Sequence, residues 1–198
     1  MDADDAASPE FWSCRYVTGS TPSDLQGVPP ALHAFLQRSG SRGRALIPGC
    51  GSGYEVRAFH DAGYDVTALD FSSAAVNRAR ALLGALGDKV QVGDFFHYEF
   101  PATGFDLVYE RTFLCALSPS RWAEYAARMA DLLRDGGRLV GVFVFGTADD
   151  GPPFPLPEGG EQELFTDRFE LTRSEALPAS LPVFDGMEER WQEWRRLP

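Results

Sequence analysis

The chain has 198 residues, of which 44% are hydrophobic, 13% aromatic and 24% charged. This length and apolar content predict one folded domain and exclude a disordered chain. The formal net charge of −11 disfavours nucleic-acid phosphates and anionic membranes as partners, so we expect a small-molecule partner, no nucleic acid and no membrane.

Residues 1–43 form a polar and aromatic lead-in segment. The first residues are acidic and lack the apolar stretch of a signal peptide, which predicts a cytoplasmic protein. We expect a short helix over residues 31–38. Trp12 and Tyr16 are four residues apart, so they would share one face of a helix. Their rings suit a sulfonium cation, and hydrophobic anchoring of the segment is the alternative.

Strands and helices alternate from residue 44 onward. Apolar runs predict strands over residues 44–47, 65–69, 89–92, 105–109 and 138–145. Helices are predicted over residues 54–62, from a cap at Ser72 or Ser73 to Gly87, and from Ser118-Pro119 to Gly136-Gly137. This alternation is typical of a parallel sheet with helices on both faces. Ligands bind such sheets at the carboxyl edge, so we expect the loops after Ile47, Leu69, Val92 and Tyr109 to line the site.

The pattern changes after residue 145. A Gly- and Pro-rich loop over residues 146–160 precedes two candidate strands, over residues 169–173 and 189–195. We interpret these as a terminal antiparallel pair, although Trp191 and Trp194 would also suit a helix. The expected fold is therefore α/β, with a doubly wound, mostly parallel, seven-stranded sheet and an antiparallel C-terminal strand pair.

The sequence PGCGSG, residues 48–53, follows the first predicted strand and opens a helix. Glycines such as Gly49 and Gly51 let the backbone turn tightly and approach a ligand. The spacing is GxGxG, whereas a dinucleotide-binding loop prefers GxGxxG. It therefore favours a ligand without a phosphate, such as S-adenosylmethionine, and an ordinary tight turn is the alternative.

Acidic residues follow the next two predicted strands. Asp70 is placed to accept hydrogen bonds from both hydroxyls of a ribose, unless it only caps the following helix. Asp94 could accept from an adenine amino group while Phe95 packs the ring. The alternative for this pair is a turn with core aromatics. His97 we expect to be an ordinary loop histidine.

Arg111 ends the fourth predicted strand, nearest the expected reacting centre. Its planar guanidinium could bind a carboxylate or an anionic substrate, and a salt bridge to Glu110 or another acid is the alternative. The three cysteines, Cys14, Cys50 and Cys115, lie far apart without a CxxC pair, so we expect neither a disulfide framework nor a metal site. Cys115 is expected to be a core residue.

The order of these motifs resembles the thiopurine S-methyltransferase family, including its thiol, halide and thiocyanate methyltransferases. The matching segments are FWSCRYVTGSTPSD (11–24), LIPGCGSGYEV (46–56), VTALDFS with AV following (66–76), GDFF (93–96), FDLVYERTFLCALSP (105–119), RMADLL with GG (128–137) and GPPF (151–154). The last segment also resembles a motif of adenine-modifying methyltransferases, but it follows the fifth strand instead of the fourth. We therefore expect it to be a substrate-side loop.

The resemblance implies a Rossmann-like methyltransferase that binds S-adenosylmethionine and releases S-adenosylhomocysteine. Its cofactor contacts would fall on Trp12, Tyr16, Gly49, Asp70, Asp94, Phe95 and Arg111, beside Gly51 of the glycine loop. It also implies that residues 1–43 form a lid over a 44–145 core, with residues 146–198 on the substrate side of one domain. Ser23 stands where the thiol and halide enzymes have Trp, whereas Arg111 matches the thiopurine enzymes, so the acceptor stays open.

Methyl transfer from a sulfonium to an anionic acceptor needs no general base, because the leaving group becomes neutral. The enzyme then contributes alignment and exclusion of water, with Arg111 as the expected catalytic residue and no metal. We expect a small-molecule methyl acceptor and a monomeric enzyme. The alternatives are a nicotinamide-dependent oxidoreductase and a non-catalytic S-adenosylmethionine-binding protein.

Overall fold

A single sheet organises the chain. The computed structural model describes residues 8–40, 42–100, 104–148 and 150–198. Within these residues seven strands are present, namely β1 (Arg44–Pro48), β2 (Asp65–Asp70), β3 (Val90–Val92), β4 (Phe105–Arg111), β5 (Leu133–Phe145), β6 (Phe169–Leu177) and β7 (Glu188–Arg196). Their order in the sheet is β3-β2-β1-β4-β5-β7-β6. The first five are parallel, while β7 is antiparallel to both β5 and β6, which confirms the predicted fold class.

Helices cover both faces of this sheet. They are α1 (Pro9–Thr18), α2 (Pro30–Arg38), α3 (Tyr54–Asp61), α4 (Ser73–Leu83), α5 (Trp122–Leu132) and α6 (Gly160–Phe165). Apolar side chains of α2, α3 and α4 join one core cluster, and those of α5 and α6 join the other. None of the helices in the described ranges is long and apolar enough to cross a membrane.

Strand β7 connects the two cores through its tryptophans. Trp191 is buried in the cluster under α2 and α3, and Trp194 in the cluster under α5 and α6. Residues three apart point to opposite faces of a strand, whereas on a helix they would share one face. Each indole therefore fills a different core, which resolves the helix alternative in favour of the predicted strand.

Two predicted helix ends were wrong. Helix α4 ends at Leu83, and a 3-10 helix over Gly84–Lys89 continues to Val90. The α5 segment begins as a 3-10 turn over Pro119–Arg121 and ends at Leu132, before the glycine pair. Leu133 already pairs with Phe105, so the chain joins the sheet earlier than the glycines suggest. Strand pairing in the sheet, and not the glycine pair, thus determines where α5 ends.

Candidate active site

The cavities lie at the carboxyl edge of the sheet, where β1 neighbours both β2 and β4. The strand order reverses at this point, because β2 and β3 extend to one side of β1 while β4 and β5 extend to the other. The largest cleft holds about 950 Å³ of empty space, including its open mouth. A second, mainly polar cavity adjoins it across the glycine loop.

The glycine loop is hydrogen-bonded directly to Asp70. The Gly51 amide donates to Asp70 Oδ2 at 2.9 Å, and the Ser72 amide donates to Oδ1 at 2.9 Å. Gly51 has a φ of 53°, and a Cβ atom there would lie 2.3 Å from the Tyr16 hydroxyl oxygen. No side chain fits in that space, so the loop backbone and the lead-in segment approach each other closely.

Asp70 is a buried acid that faces the cleft. Burial raises its pKa to about 6, and the two backbone donors oppose that rise. The carboxylate form therefore still prevails at neutral pH. The helix-capping alternative does not apply, because Ser72 is the N-cap of α4 and its Oγ accepts from Ala75. Asp70 is thus available for a ligand.

Helix α1 lies against the N-terminal end of α4 and borders the cleft. Ser13 Oγ and Ser72 Oγ are 3.0 Å apart and share a hydrogen bond. Trp12 and Tyr16 both line the largest cleft. Burial, with the nearby Asp70 and Asp24 carboxylates, raises the pKa of Tyr16, so its phenol stays neutral. The structure therefore brings the two predicted aromatic residues of the lead-in, Trp12 and Tyr16, to the site.

Aromatic residues Phe95, Phe96 and Phe113 also line the cleft. Phe95 packs edge-on against Phe96 and Phe113, with ring centroids 5.2 Å apart in each pair. Phe95 is almost completely buried, so Phe96 and Phe113 offer more ring surface to a ligand. Asp94 also lines the cleft; its Oδ1 accepts from the Phe96 amide, and its Oδ2 lies 2.6 Å from Nδ1 of exposed His97.

Arg111 reaches the second cavity instead of pairing with Glu110. Its Nη1 donates to the Ser23 carbonyl at 3.4 Å. Its Nη2 and the Tyr109 hydroxyl are buried and have no hydrogen-bond partner within the described residues. Buried donors of this kind carry a free-energy cost unless a ligand satisfies them. Within the described residues, Arg111 forms no ion pair with Glu110 or with another acid.

Glu55 complements Arg111 in the same cavity. It lies in the first turn of α3 and is 7% exposed. Burial raises the pKa of Glu55, and the Arg111 guanidinium opposes that rise. Asp24, which accepts from Ser52 Oγ at 2.7 Å, adds a second carboxylate. The cavity thus combines unpartnered hydrogen-bond donors with carboxylates. This combination complements a ligand group that carries both a negative and a positive charge.

Glu110 fixes the loop that follows β4. Its Oε1 accepts from the Phe113 and Leu114 amides, and its Oε2 accepts from the Tyr125 hydroxyl at 2.5 Å. Burial raises its pKa to about 7. The loop also holds Thr112 at a φ of 58°, in the left-handed region. Such backbone strain persists where surrounding contacts impose it, and here it borders the site.

Sequence reasoning missed several residues of this site, among them Glu55, Tyr109 and Thr112. Glu55 lies two residues after the glycine loop, so its position was a usable signal. Tyr109 lies within an apolar strand and resembles a core residue in sequence. The Thr112 conformation depends on the Glu110 contacts, which the sequence pattern does not reveal.

Comparisons with known proteins agree with this geometry. Residues 7–196 match the sequence model of the family described as thiopurine S-methyltransferase. The "Probable thiol methyltransferase 2" of Arabidopsis thaliana is 39% identical over 152 residues, which cover 73% of this chain and 66% of that protein. A thiopurine S-methyltransferase of Vibrio cholerae is 31% identical over 177 residues, covering 79% of this chain and 80% of that protein.

Solved structures with lower identity have the same fold. The 1,6-didemethyltoxoflavin-N1-methyltransferase of Burkholderia thailandensis, with bound S-adenosylhomocysteine, has a TM-score of 0.74 at 20% identity over 96% of this chain and 87% of that one. The N-methyltransferase NodS of Bradyrhizobium japonicum, in complex with S-adenosylhomocysteine, has a TM-score of 0.65 at 18% identity over 84% of this chain and 86% of that one.

Proposed function

The chain belongs to the thiopurine S-methyltransferase family and is an S-adenosylmethionine-dependent methyltransferase; from this we propose which of its residues hold the cofactor and how they promote transfer. The acceptor class is a small soft nucleophile such as a thiol, thiopurine, thiocyanate or halide. The family assignment replaces the nicotinamide-dependent alternative. The net charge of −11 supports a small-molecule acceptor over nucleic acid.

The largest cleft is the proposed nucleoside site. Asp70 has one backbone donor on each carboxylate oxygen, so each oxygen keeps an acceptor position for a ribose hydroxyl. Phe96 and Phe113 would pack the adenine, and Asp94 would accept from its amino group. Phe95 supports these two rings through its contacts with both of them. Trp12 and Tyr16 close the cleft from α1, as a lid would.

The second cavity is the proposed site for the amino-acid end of the cofactor. Arg111 Nη2 and the Tyr109 hydroxyl would donate to its carboxylate, and Glu55 and Asp24 would accept from its ammonium group. The observation that carries the proposal is the buried, unpartnered state of those two donors. Gly49 lines both cavities and Gly51 lines the second. A Cβ atom would lie 2.5 Å from the Phe113 ring at Gly49 and 2.3 Å from the Tyr16 hydroxyl at Gly51, so only glycine lets these aromatic residues approach the loop.

When bound, S-adenosylmethionine supplies an electrophilic methyl group on a sulfonium. The residues around it contribute alignment and exclude water, which together account for ~7–11 kcal/mol of barrier reduction in well-oriented reactions. Trp12 and Tyr16 present ring faces that attract a positive charge. Arg111 acts by positioning the cofactor at the end of β4, and no residue has to remove a proton from an anionic acceptor.

The test combines binding with turnover. Calorimetry should detect binding of S-adenosylmethionine and S-adenosylhomocysteine but not of NAD. An acceptor panel of hydrosulfide, thiocyanate, iodide and 6-mercaptopurine should then give acceptor-dependent release of S-adenosylhomocysteine. Cofactor binding without release for any acceptor would favour a non-catalytic binding protein. Absence of cofactor binding would overturn the proposed site.

A further inference from the structure

A third, narrower cavity opens beside the two proposed cofactor cavities. Its walls come from α1, from the loop after β4, and from the segments around Pro152-Pro153 and Val183-Phe184. It holds about 340 Å³ of empty space, against about 950 Å³ for the nucleoside cleft. It therefore suits a much smaller ligand than a nucleoside.

Two residues, Ser23 and Thr112, line all three cavities. The nucleoside and the amino-acid end of S-adenosylmethionine are joined at the sulfur, so the sulfonium belongs where their two cavities meet. The third cavity meets them at the same residues. Given the proposed function, on which this step rests, the transferable methyl group faces the third cavity.

The chemistry of the third cavity restricts what can enter it. Among the lining residues that the structure describes, Arg15 is the only charged one, and no carboxylate or imidazole is present. Burial raises the pKa of the Cys115 thiol, so it remains protonated and cannot act as a base. None of these described lining residues could take a proton from a neutral thiol. The cavity therefore favours an acceptor that arrives already deprotonated.

Arg15 lines this cavity, and its guanidinium contacts two aromatic rings of α1. Its guanidinium lies 4.7 Å from the Phe11 ring centroid and 5.9 Å from that of Trp12. Its Nη1 donates to the Ser20 carbonyl at 3.5 Å, so most of its donors are not used by that contact. A positive charge next to an otherwise apolar pocket favours a polarisable anion over a strongly hydrated one.

We propose that the third cavity is the methyl-acceptor site, that Arg15 is its anion-selecting residue, and that the acceptor is a small soft anion of the hydrosulfide, thiocyanate or iodide type. In the transfer step a lone pair of the anion forms the bond to the methyl carbon. The carbon–sulfur bond breaks with its electron pair left on sulfur, giving neutral S-adenosylhomocysteine and a neutral methylated product. Charge balances without a proton, an oxidant or a reductant.

Steady-state kinetics of Arg15→Gln tests whether the positive charge of Arg15 attracts the anionic acceptor. We expect the KM for thiocyanate, iodide and hydrosulfide to rise roughly tenfold or more, while the Kd for S-adenosylhomocysteine stays within about twofold. Arg15→Lys should recover most of the loss. Arg195→Gln, which removes an exposed arginine paired with Glu170, is the matched control and should leave every constant unchanged. An unchanged KM for the anions in Arg15→Gln would overturn the role of Arg15.

A second variant tests the cavity itself. Val183 lines the third cavity and neither of the two proposed cofactor cavities, so Val183→Trp places a large side chain in the wall of the third cavity. We expect loss of turnover with all acceptors and retained affinity for S-adenosylhomocysteine. Unimpaired turnover in this variant would show that the acceptor binds elsewhere. In the wild-type protein, a higher kcat/KM for 6-mercaptopurine than for the anions would show that the acceptor is not a small anion. Failure of the wild-type protein to bind S-adenosylhomocysteine would instead overturn the proposed function, and this inference with it.

Discussion

Replacement of Asp70 by Asn is the sharpest perturbation of the proposed nucleoside site. The two carboxylate oxygens accept from Gly51 and Ser72, and each keeps a free lone pair. In Asp70→Asn a single carbonyl oxygen would have to serve both backbone donors. The amide nitrogen cannot accept, so the pair of positions available for a ribose diol is lost.

The expected effect can be estimated from these bonds. A hydrogen bond to a charged group contributes ~1.5–3 kcal/mol, so the loss of two weakens binding by about 3 kcal/mol or more, equivalent to roughly 100-fold in Kd. Calorimetry with S-adenosylhomocysteine near neutral pH measures this directly. Asp61→Asn, at an exposed aspartate on α3, is the matched control. Undiminished affinity in a folded Asp70→Asn protein would refute the role of Asp70.

The pH dependence provides an independent check on the same residue. Burial raises the pKa of Asp70 to about 6, and ribose hydroxyls prefer the carboxylate to the neutral acid. Protonation therefore competes with the ligand, so wild-type affinity should be constant at higher pH and fall as pH decreases through about 6. The limiting slope is about tenfold per pH unit. This part of the pH profile should disappear in Asp70→Asn, whereas a decline of equal size in both proteins would assign it to another group.

Two further predictions concern buried groups. Arg111→Met and Tyr109→Phe should each weaken S-adenosylhomocysteine binding by about tenfold or more, because Arg111 Nη2 and the Tyr109 hydroxyl have no hydrogen-bond partner within the described residues. Tyr109→Phe should leave the melting temperature unchanged, whereas Arg111→Met also removes the Nη1 hydrogen bond to the Ser23 carbonyl. A lowered melting temperature with unchanged affinity in Tyr109→Phe would contradict this. Burial raises the pKa of Glu110 from 4.5 to about 7. Between these two pH values the folded protein keeps a proton that the unfolded chain releases. The free energy of unfolding should therefore fall by up to about 3 kcal/mol as pH rises from 4.5 to about 7. In denaturant titrations at several pH values, this decline should be smaller in Glu110→Gln than in the wild-type protein. Equal declines in the two proteins would show that another group causes the pH dependence.

Much of the proposed nucleoside site follows from local patterns in the sequence. The glycine loop after β1 and the aspartate after β2 are separated by one helix, and parallel pairing of β1 with β2 brings their ends together. Because right-handed crossovers leave little choice of topology, Asp70 could be placed near Gly51 without coordinates. The hydrogen bond between them agrees with that placement.

Other features depended on contacts between segments that are distant in the chain. Trp191 and Trp194 fit a helix or a strand by pattern, and only pairing with β5 and β6 directs them into opposite cores. Arg111 could have paired with its neighbour Glu110, but three donors from the following loop and α5 occupy that carboxylate. Local propensity cannot decide between such alternatives, because packing between elements selects the partner.

By itself, the sequence determined the alternating sheet, the glycine loop and the strand-end carboxylate, since each is set by residue type and spacing over a few turns of chain. Only the tertiary structure decided that Ser23 and Thr112 meet at the junction of three cavities, and that Arg15 borders the smallest of them. The lead-in, the loop after β4 and the segment before β7 converge there through packing, and packing between remote segments leaves no periodic trace in the sequence.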